Sequence, residues 1–409
     1  MANIAGDHCS VSPMDAHNNC EPVFEQRDPE FYAGAELHRI KHQKIQRALE
    51  RSGLDALMFF KAEAVRYVTD FYVKGFRPFM EPEYVVLVAK GRAPAVGYIS
   101  GSDDLRIRFK SDIEDARRLP AVADWATVIG GMIADYGLGN GRIGTDLMPY
   151  MIHEDLKRQF PSLLISDAGR IWAELTAIKH PLEVELIRDS IRVADLGMGA
   201  AIDAVRPGIS EHAVSAEAIY AMRRNGSEFE PFIPLVASGY NTSMFERVAT
   251  QKIIQSGEMV ILDVGSVVKG YTGDLGRTVI CGDPKPEQIA IYKATHLALQ
   301  EAKRIIRPGV TCHEIDRRAR DVIEDAGYGR YLYSGNTGHQ LGYGLHGDPL
   351  VHKNIDFAVV ENMVMCLEPR IVLPDRPDIG GAHLEDVVLV TSDGFLQINQ
   401  TPYDERLLV

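Results

Sequence analysis

Two acids, Asp263 and Asp274, stand eleven residues apart in the segment MVILDVGSVVKGYTGDLGRTVIC, residues 259–281. The segment reads as two strands around a turn at Val268, Lys269 and Gly270, which makes a hairpin. With the turn centred on residues 268 and 269, Asp263 lies directly opposite Asp274, both on one face with Cβ atoms roughly 5 Å apart. Aspartate is depleted in strands, and two adjacent anions repel unless a cation or a proton lies between them. A second hairpin repeats the pattern. MVMCLEP (363–369) and HLEDVVLV (383–390) are strands separated by a loop rich in Pro and Gly, and each turns one acid inwards, Glu368 and Glu385. Glu368 follows Val364, Met365, Cys366 and Leu367, the most apolar context of any acid in the chain, and a buried carboxylate without a partner is expensive. Between the hairpins, GHQLGYGLH (338–346) combines glycines that permit close backbone approach with a nitrogen donor, His339. Four carboxylates and one imidazole suit Mn, Fe, Co or Zn at a two-ion site. Asp263, Asp274, His339, Glu368 and Glu385 are therefore the expected metal ligands.

The elements that must position these residues fall into two regions. From about residue 36, helix and strand alternate. Glu36–Arg51 is amphipathic, with Leu37, Ile40, Ile45 and Leu49 at helical spacing. Residues 55–60, 83–89, 95–99 and 143–146 are strand-length runs, and 121–136 is helical. This predicts a small α/β domain over 36–170, preceded by an N-terminal arm over 1–35. The metal-binding domain is expected over 171–409, entered by a long amphipathic helix that starts at Pro181 with acids in its first turn. Within it lies an internal repeat. Arg206-Pro207-Gly208-Ile209 recurs 101 positions later as Arg307-Pro308-Gly309-Val310, and at the same offset His212 matches His313, Ala218 matches Ala319 and Gly226 matches Gly327. A duplicated αβ unit forming a curved sheet backed by helices would place a site at the seam between its halves.

The 409 residues suffice for two cores. The formal charge of −13 and the lack of a Lys/Arg cluster exclude nucleic acid as the expected partner. No apolar run approaches the roughly 20 residues of a membrane span, and the polar N-terminus does not read as a secretory signal. Five cysteines with no CxxC pair argue against a disulfide framework and against a thiolate zinc site. A reducing compartment, the cytoplasm, is the expected location.

Taken in order, these segments resemble the superfamily of methionine aminopeptidase, Xaa-Pro aminopeptidase, prolidase and creatinase, whose fold is called pita-bread. LDVGSVVKGYTGDLGRT resembles its D-x-G…GY…D…R segment, and GHQLGYGLH, LEP and LED resemble its other ligand segments. The resemblance implies a creatinase/prolidase-like N-terminal α/β domain, an α+β catalytic domain with a curved antiparallel sheet, and homodimers. It further implies a dinuclear-metal hydrolase of Xaa-Pro peptidase type that cleaves a C–N bond in a small peptide or amide. In that chemistry Glu368 shuttles protons and His346 stabilises the developing oxyanion or holds the substrate. Arg77, in Gly75-Phe76-Arg77-Pro78, resembles a creatinase arginine that binds a substrate carboxylate across the dimer. The chain also departs from the peptidases. Glu246 stands where they carry a histidine, Gly347 follows His346 where they carry a glutamate, and His383 replaces an arginine two residues before the last ligand. Glu246 and His383 are therefore the expected specificity residues. A metal-dependent dimethylsulfoniopropionate lyase of the superfamily is the alternative of a different class, although its extra acid two residues after the first Asp is Gly265 here. A creatinase-like hydrolase of a small amino-acid derivative is the other.

Overall fold

The structure, a computed structural model, describes residues 32–71, 82–111, 113–120, 124–244, 247–332 and 334–409. Along the first part run α1 (Ala35–Ser52), β1 (Ala56–Phe59), α2 (Ala62–Thr69), β2 (Tyr84–Ala89), β3 (Ala95–Tyr98), α3 (Gly101–Lys110), β4 (Asp115–Arg118), α4 (Trp125–Asp135), β5 (Arg142–Thr145), α5 (Tyr150–Gln159) and β6 (Leu164–Asp167). The strands form one six-stranded sheet in the order β4-β3-β2-β1-β5-β6, antiparallel between β1, β2 and β3 and parallel between β3 and β4. Strands β1 and β2 are buried along their whole length, as their unbroken apolar runs require.

The second part holds α6 (Gly169–Ala177), α7 (Pro181–Ala204), α8 (Glu211–Arg224), β7 (Leu235–Ser238), β8 (Glu258–Val268), β9 (Tyr271–Cys281), α9 (Pro286–Arg304) and α10 (Cys312–Asp325). Then follow β10 (Gly338–Gly342), β11 (Gly344–Val351), β12 (Val364–Leu367), β13 (Arg370–Val372), β14 (Gly381–His383), β15 (Asp386–Val390) and β16 (Phe395–Gln397). Among the described residues no helix is long and apolar enough to cross a membrane.

Contacts divide the chain into two compact units. One holds Asp55–Ile143 and Leu147–Leu164; the other holds Ala33–Leu54, Gly144–Asp146 and Ile165–Val409. Helix α1 thus groups with the later unit. Its buried face carries Leu37, Ile45 and Leu49 together with Lys41, which lies 5.4 Å from the Tyr271 ring centroid and 4.8 Å from that of Tyr343. One turn on, Lys44 meets the buried Glu183 at 3.0 Å.

The repeat is expressed as hydrogen bonding. Gly208 donates its N–H to Ile254 and Gly309 donates its own to Val359; Glu211 donates to Lys252 and Cys312 to Phe357; His212 donates to Thr250 and His313 to Ile355. Each copy has its own core. Helices α7 and α8 pack Val193, Met198 and Val214 against Leu262, Val264 and Leu275 of the β7-β8-β9 sheet. Helices α9 and α10 pack Ile291, Tyr292 and Ile315 against Met365, Leu367 and Val388 of the β11-β10-β12-β15-β16 sheet.

Both hairpins form, and the register of the first differs from expectation. Val268 pairs with Tyr271, so the two-residue turn is Lys269–Gly270, with φ of 50° and 82°. A turn at 268–269 would have forced the β-branched Val268 to positive φ, whereas glycine takes that conformation without strain. Asp263 therefore lies opposite Gly276, and Asp274 opposite Gly265. The displacement is two residues, so both acids keep the same face, diagonal to one another. In the second hairpin one ladder is interrupted. Leu367 pairs with Asp386 in β12–β15 and Arg370 pairs with His383 in β13–β14, leaving Glu368, Pro369, Leu384 and Glu385 in the gap. There the Glu368 N–H turns away to the Thr337 carbonyl at 2.8 Å and the Glu385 N–H to the Gly276 carbonyl at 3.0 Å. The break aims both carboxylates and ties this hairpin to β9.

Candidate metal centre

Five of the anticipated residues converge. On β8, Leu262 and Val264 face the helical core, so the alternation of a strand turns Asp263 to the opposite face. On β9, Leu275 does the same for Asp274. Gly276, directly across from Asp263, is required by the approach of the other hairpin. A Cβ there would lie 2.5 Å from His383 Nε2 and 3.0 Å from the Glu385 Cβ. His339 projects from β10, where its rung partner on β12 is Cys366. All of Asp263, Asp274, His339, Glu368 and Glu385 are buried.

The donor atoms form two groups that share Glu385. In one, atoms of Asp274, His339, Cys366 and Glu385 lie within 4.8 Å of one another; in the other, those of Asp263, His383 and Glu385 do. Glu368 stands beside the first group, its Oε1 3.8 Å from His339 Nε2, which is itself 3.6 Å from Asp274 Oδ2. These gaps are too long for hydrogen bonds. They are close to the edge of a coordination polyhedron built on bonds of about 2.1 Å. Glu385 Oε1 is buried and has no hydrogen-bond partner, a costly arrangement unless a cation completes it.

The electrostatics agree. Burial raises Asp274 well above the usual carboxylate range, and the neighbouring Asp263 and Glu368 push it further. Burial likewise raises Glu385, followed by Asp274, Asp263 and Glu368. Glu368 is raised by burial against the opposing pull of Arg370, whose Nη1 is 3.4 Å from Glu368 Oε2. Burial depresses His339 to about 4 and His383 well below its ordinary value, so both imidazoles are neutral, the form that binds metals. A closely packed set of acids that resist joint ionisation, with neutral imidazoles among them, fits a divalent-cation site.

His346, on β11, is exposed and stacks edge-on to His339 with ring centroids 4.4 Å apart, at the mouth of the cluster. His383 is fully buried and has its Nε2 3.9 Å from Glu385 Oε2, deeper than a residue read from sequence as a substrate contact. Arg77 and Glu246 lie outside the described residues. Cys366, Asn336 and Arg370 were not anticipated. Asn336 Nδ2 donates to Glu368 Oε1 at 3.3 Å, and Arg370 Nη2 to the Asn336 carbonyl at 3.1 Å. For Cys366 a signal existed: it stands two residues before Glu368, on the same strand face.

With this geometry established, comparison with known proteins gives consistent matches. Residues 185–392 match metallopeptidase family M24 and residues 41–178 match the creatinase/prolidase N-terminal domain. A Xaa-Pro dipeptidase of Pyrococcus horikoshii is 28% identical over 375 residues, 90% of this chain and 98% of its own. A second Xaa-Pro dipeptidase, of Pyrococcus furiosus, is 33% identical over 254 residues, 62% of this chain and 72% of its own. Among solved structures, the Xaa-Pro dipeptidase from Bacillus anthracis superposes with a TM-score of 0.78 at 26% identity, covering 90% of this chain and 99% of its own.

Proposed function

Because this chain belongs to metallopeptidase family M24 and carries a creatinase/prolidase N-terminal domain, we propose that it is a dinuclear Xaa-Pro dipeptidase cleaving the C–N bond before proline in short peptides. The observation that carries the reading is the pair of donor groups joined by Glu385. Asp274, His339 and Glu385, with Glu368 beside them, would hold one divalent ion; Asp263, Glu385 and His383 would hold the other. Such ions, Mn, Fe, Co or Zn, supply Lewis acidity that polarises a carbonyl and acidifies water.

The protein's own groups do the rest. Glu368, its pKa raised by burial, accepts the proton of the attacking water at a carboxylate oxygen and returns it to the leaving nitrogen. Arg370 and Asn336 hold that carboxylate in place. His346, at the exposed edge of the cluster, donates to the carbonyl oxygen as negative charge develops on it. His383 acts from within the centre, beside Glu385, so specificity is proposed to rest more on Arg77 and Glu246. A homodimer is part of the same proposal, and sedimentation of a monomer would refute that part.

The test offers metal-loaded protein three substrate classes: Xaa-Pro dipeptides, N-acyl or guanidino amino acids, and dimethylsulfoniopropionate. Proline release is expected. Acrylate release would replace the reading with the lyase, and release of a small amino acid from the second class would replace it with a creatinase-like hydrolase. The lyase is disfavoured at Gly265, where a Cβ would lie 2.6 Å from Phe232 and 2.7 Å from Pro231, leaving no room for an additional acid.

A further inference from the structure

The first donor group contains an atom of a different kind from the rest. Cys366 is fully buried, and its sulfur lies within 4.8 Å of donor atoms of Asp274, His339 and Glu385. The ladder explains why. Cys366 and His339 are rung partners, so their side chains leave the sheet on the same face, while Leu367 turns back into the core behind it. Glu385 Oε1, buried and without a hydrogen-bond partner, belongs to the same group. A carboxylate set with one imidazole accommodates Mn as well as Fe, Co or Zn; a sulfur among them shifts preference toward softer ions.

We propose that Cys366 is a sulfur donor of this centre and biases it toward thiophilic dications such as Zn²⁺ and Cd²⁺ over Mn²⁺. The inference rests on the metal-site reading above. It concerns which ions the centre selects. On binding, a metal–sulfur bond forms and the thiol proton passes to solvent, as for any thiolate ligand. Cys281 and Cys312, the other free cysteines among the described residues, are buried in the two helical cores.

The experiment uses full-length protein freed of metal with a chelator. It is titrated with Co²⁺ and with Cd²⁺ while near-ultraviolet sulfur-to-metal charge-transfer absorption is followed. Competition between Cd²⁺ and Mn²⁺ is then measured by equilibrium dialysis. The wild type is expected to develop the charge-transfer band. Cys366→Ser and Cys366→Thr are expected to bind ions without it, with the Cd²⁺-over-Mn²⁺ preference lower by about 10-fold or more, the scale on which losing a partner alters metal affinity. Cys312→Ser should leave both readouts unchanged. A wild type that binds ions with no band, a band that persists in the Cys366 variants, or an unchanged ion preference overturns the inference and leaves the metal site standing. A wild type that binds no divalent ion overturns both. If either Cys366 variant fails to fold, cadmium X-ray absorption of the wild-type protein gives the same decision: an inner shell of oxygen and nitrogen alone refutes it.

Discussion

Replacing Glu385 with glutamine should strengthen the metal-free protein while destroying its metal site. The Glu385 carboxylate lies within 4.8 Å of donor atoms in both Asp274 and Asp263. At that separation and an effective dielectric of about 20, two unit charges repel by about 3.5 kcal/mol. When all three are ionised, Glu385 alone therefore meets about 7 kcal/mol of repulsion from the other two. The cluster limits this by holding protons, as the raised pKa values of Asp274 and Glu385 indicate, and each unit of such a shift costs about 1.4 kcal/mol above the shifted pKa. Glu385→Gln removes one charge with little change in shape. The metal-free variant should gain about 1–3 kcal/mol at neutral pH, the range left after protonation relieves most of the repulsion. At roughly 2–4 °C per kcal/mol for a domain of this size, that is a rise in Tm of several degrees. The same substitution removes the one ligand common to both groups. Calorimetry on chelator-treated wild type and variant, repeated after adding Mn²⁺ or Zn²⁺, reads both effects, and elemental analysis of dialysed protein gives the stoichiometry. The expected pattern is a crossover, with the variant more stable without metal and the wild type more stable with it. A variant less stable than wild type without metal would show that these carboxylates do not repel. An equal metal-induced rise in both would show that Glu385 binds no ion.

Gly276→Ala should cost about 1–3 kcal/mol from overpacking and lower the metal content, because the added methyl would sit 2.5 Å from His383 Nε2; calorimetry and elemental analysis check both. His346→Ala should lower kcat by about 10²–10³-fold, the scale for losing one oxyanion donor, with metal content unchanged, whereas His339→Ala should lose metal. Asp386 gives the pH dependence. Burial opposes its ionisation, yet Arg277 and Lys303 hold it at about 2, below an unfolded value of about 3.9. Because the folded pKa is the lower one, the contribution, about 2–3 kcal/mol, is fully present above roughly pH 4 and is lost as pH falls through about 2. Urea midpoints measured across that interval should fall in the wild type and be flatter in Asp386→Asn, which starts lower; parallel profiles would refute the assignment.

What the sequence made legible follows from the period of a strand. The four acids and His339 stood out because a charged or polar residue inside an apolar strand is conspicuous on its own, and because a period of two states which face it occupies. That is why placing the first turn one residue too early, a two-residue error in pairing, left Asp263 and Asp274 on the correct face. The repeat was legible for a similar reason, since glycine and proline punctuation survives in sequence even where the flanking helices share few residues. Other features have no local signature. Lys41 at the middle of an amphipathic helix reads as a solvated charge, yet it is buried over the distant rings of Tyr271 and Tyr343, on a helix that groups with the later unit. The interruption at Glu368–Pro369 and Leu384–Glu385 depends on Thr337 and Gly276 accepting the displaced N–H groups, partners that no spacing within the hairpin specifies. His383 shows what this means for function. Read along the chain it replaces an arginine and suggests altered substrate contact; in the fold it lies opposite Arg370 and against Glu385. One substitution in the ladder thereby places a buried imidazole beside Glu385, and the search for specificity moves to residues nearer the mouth of the site.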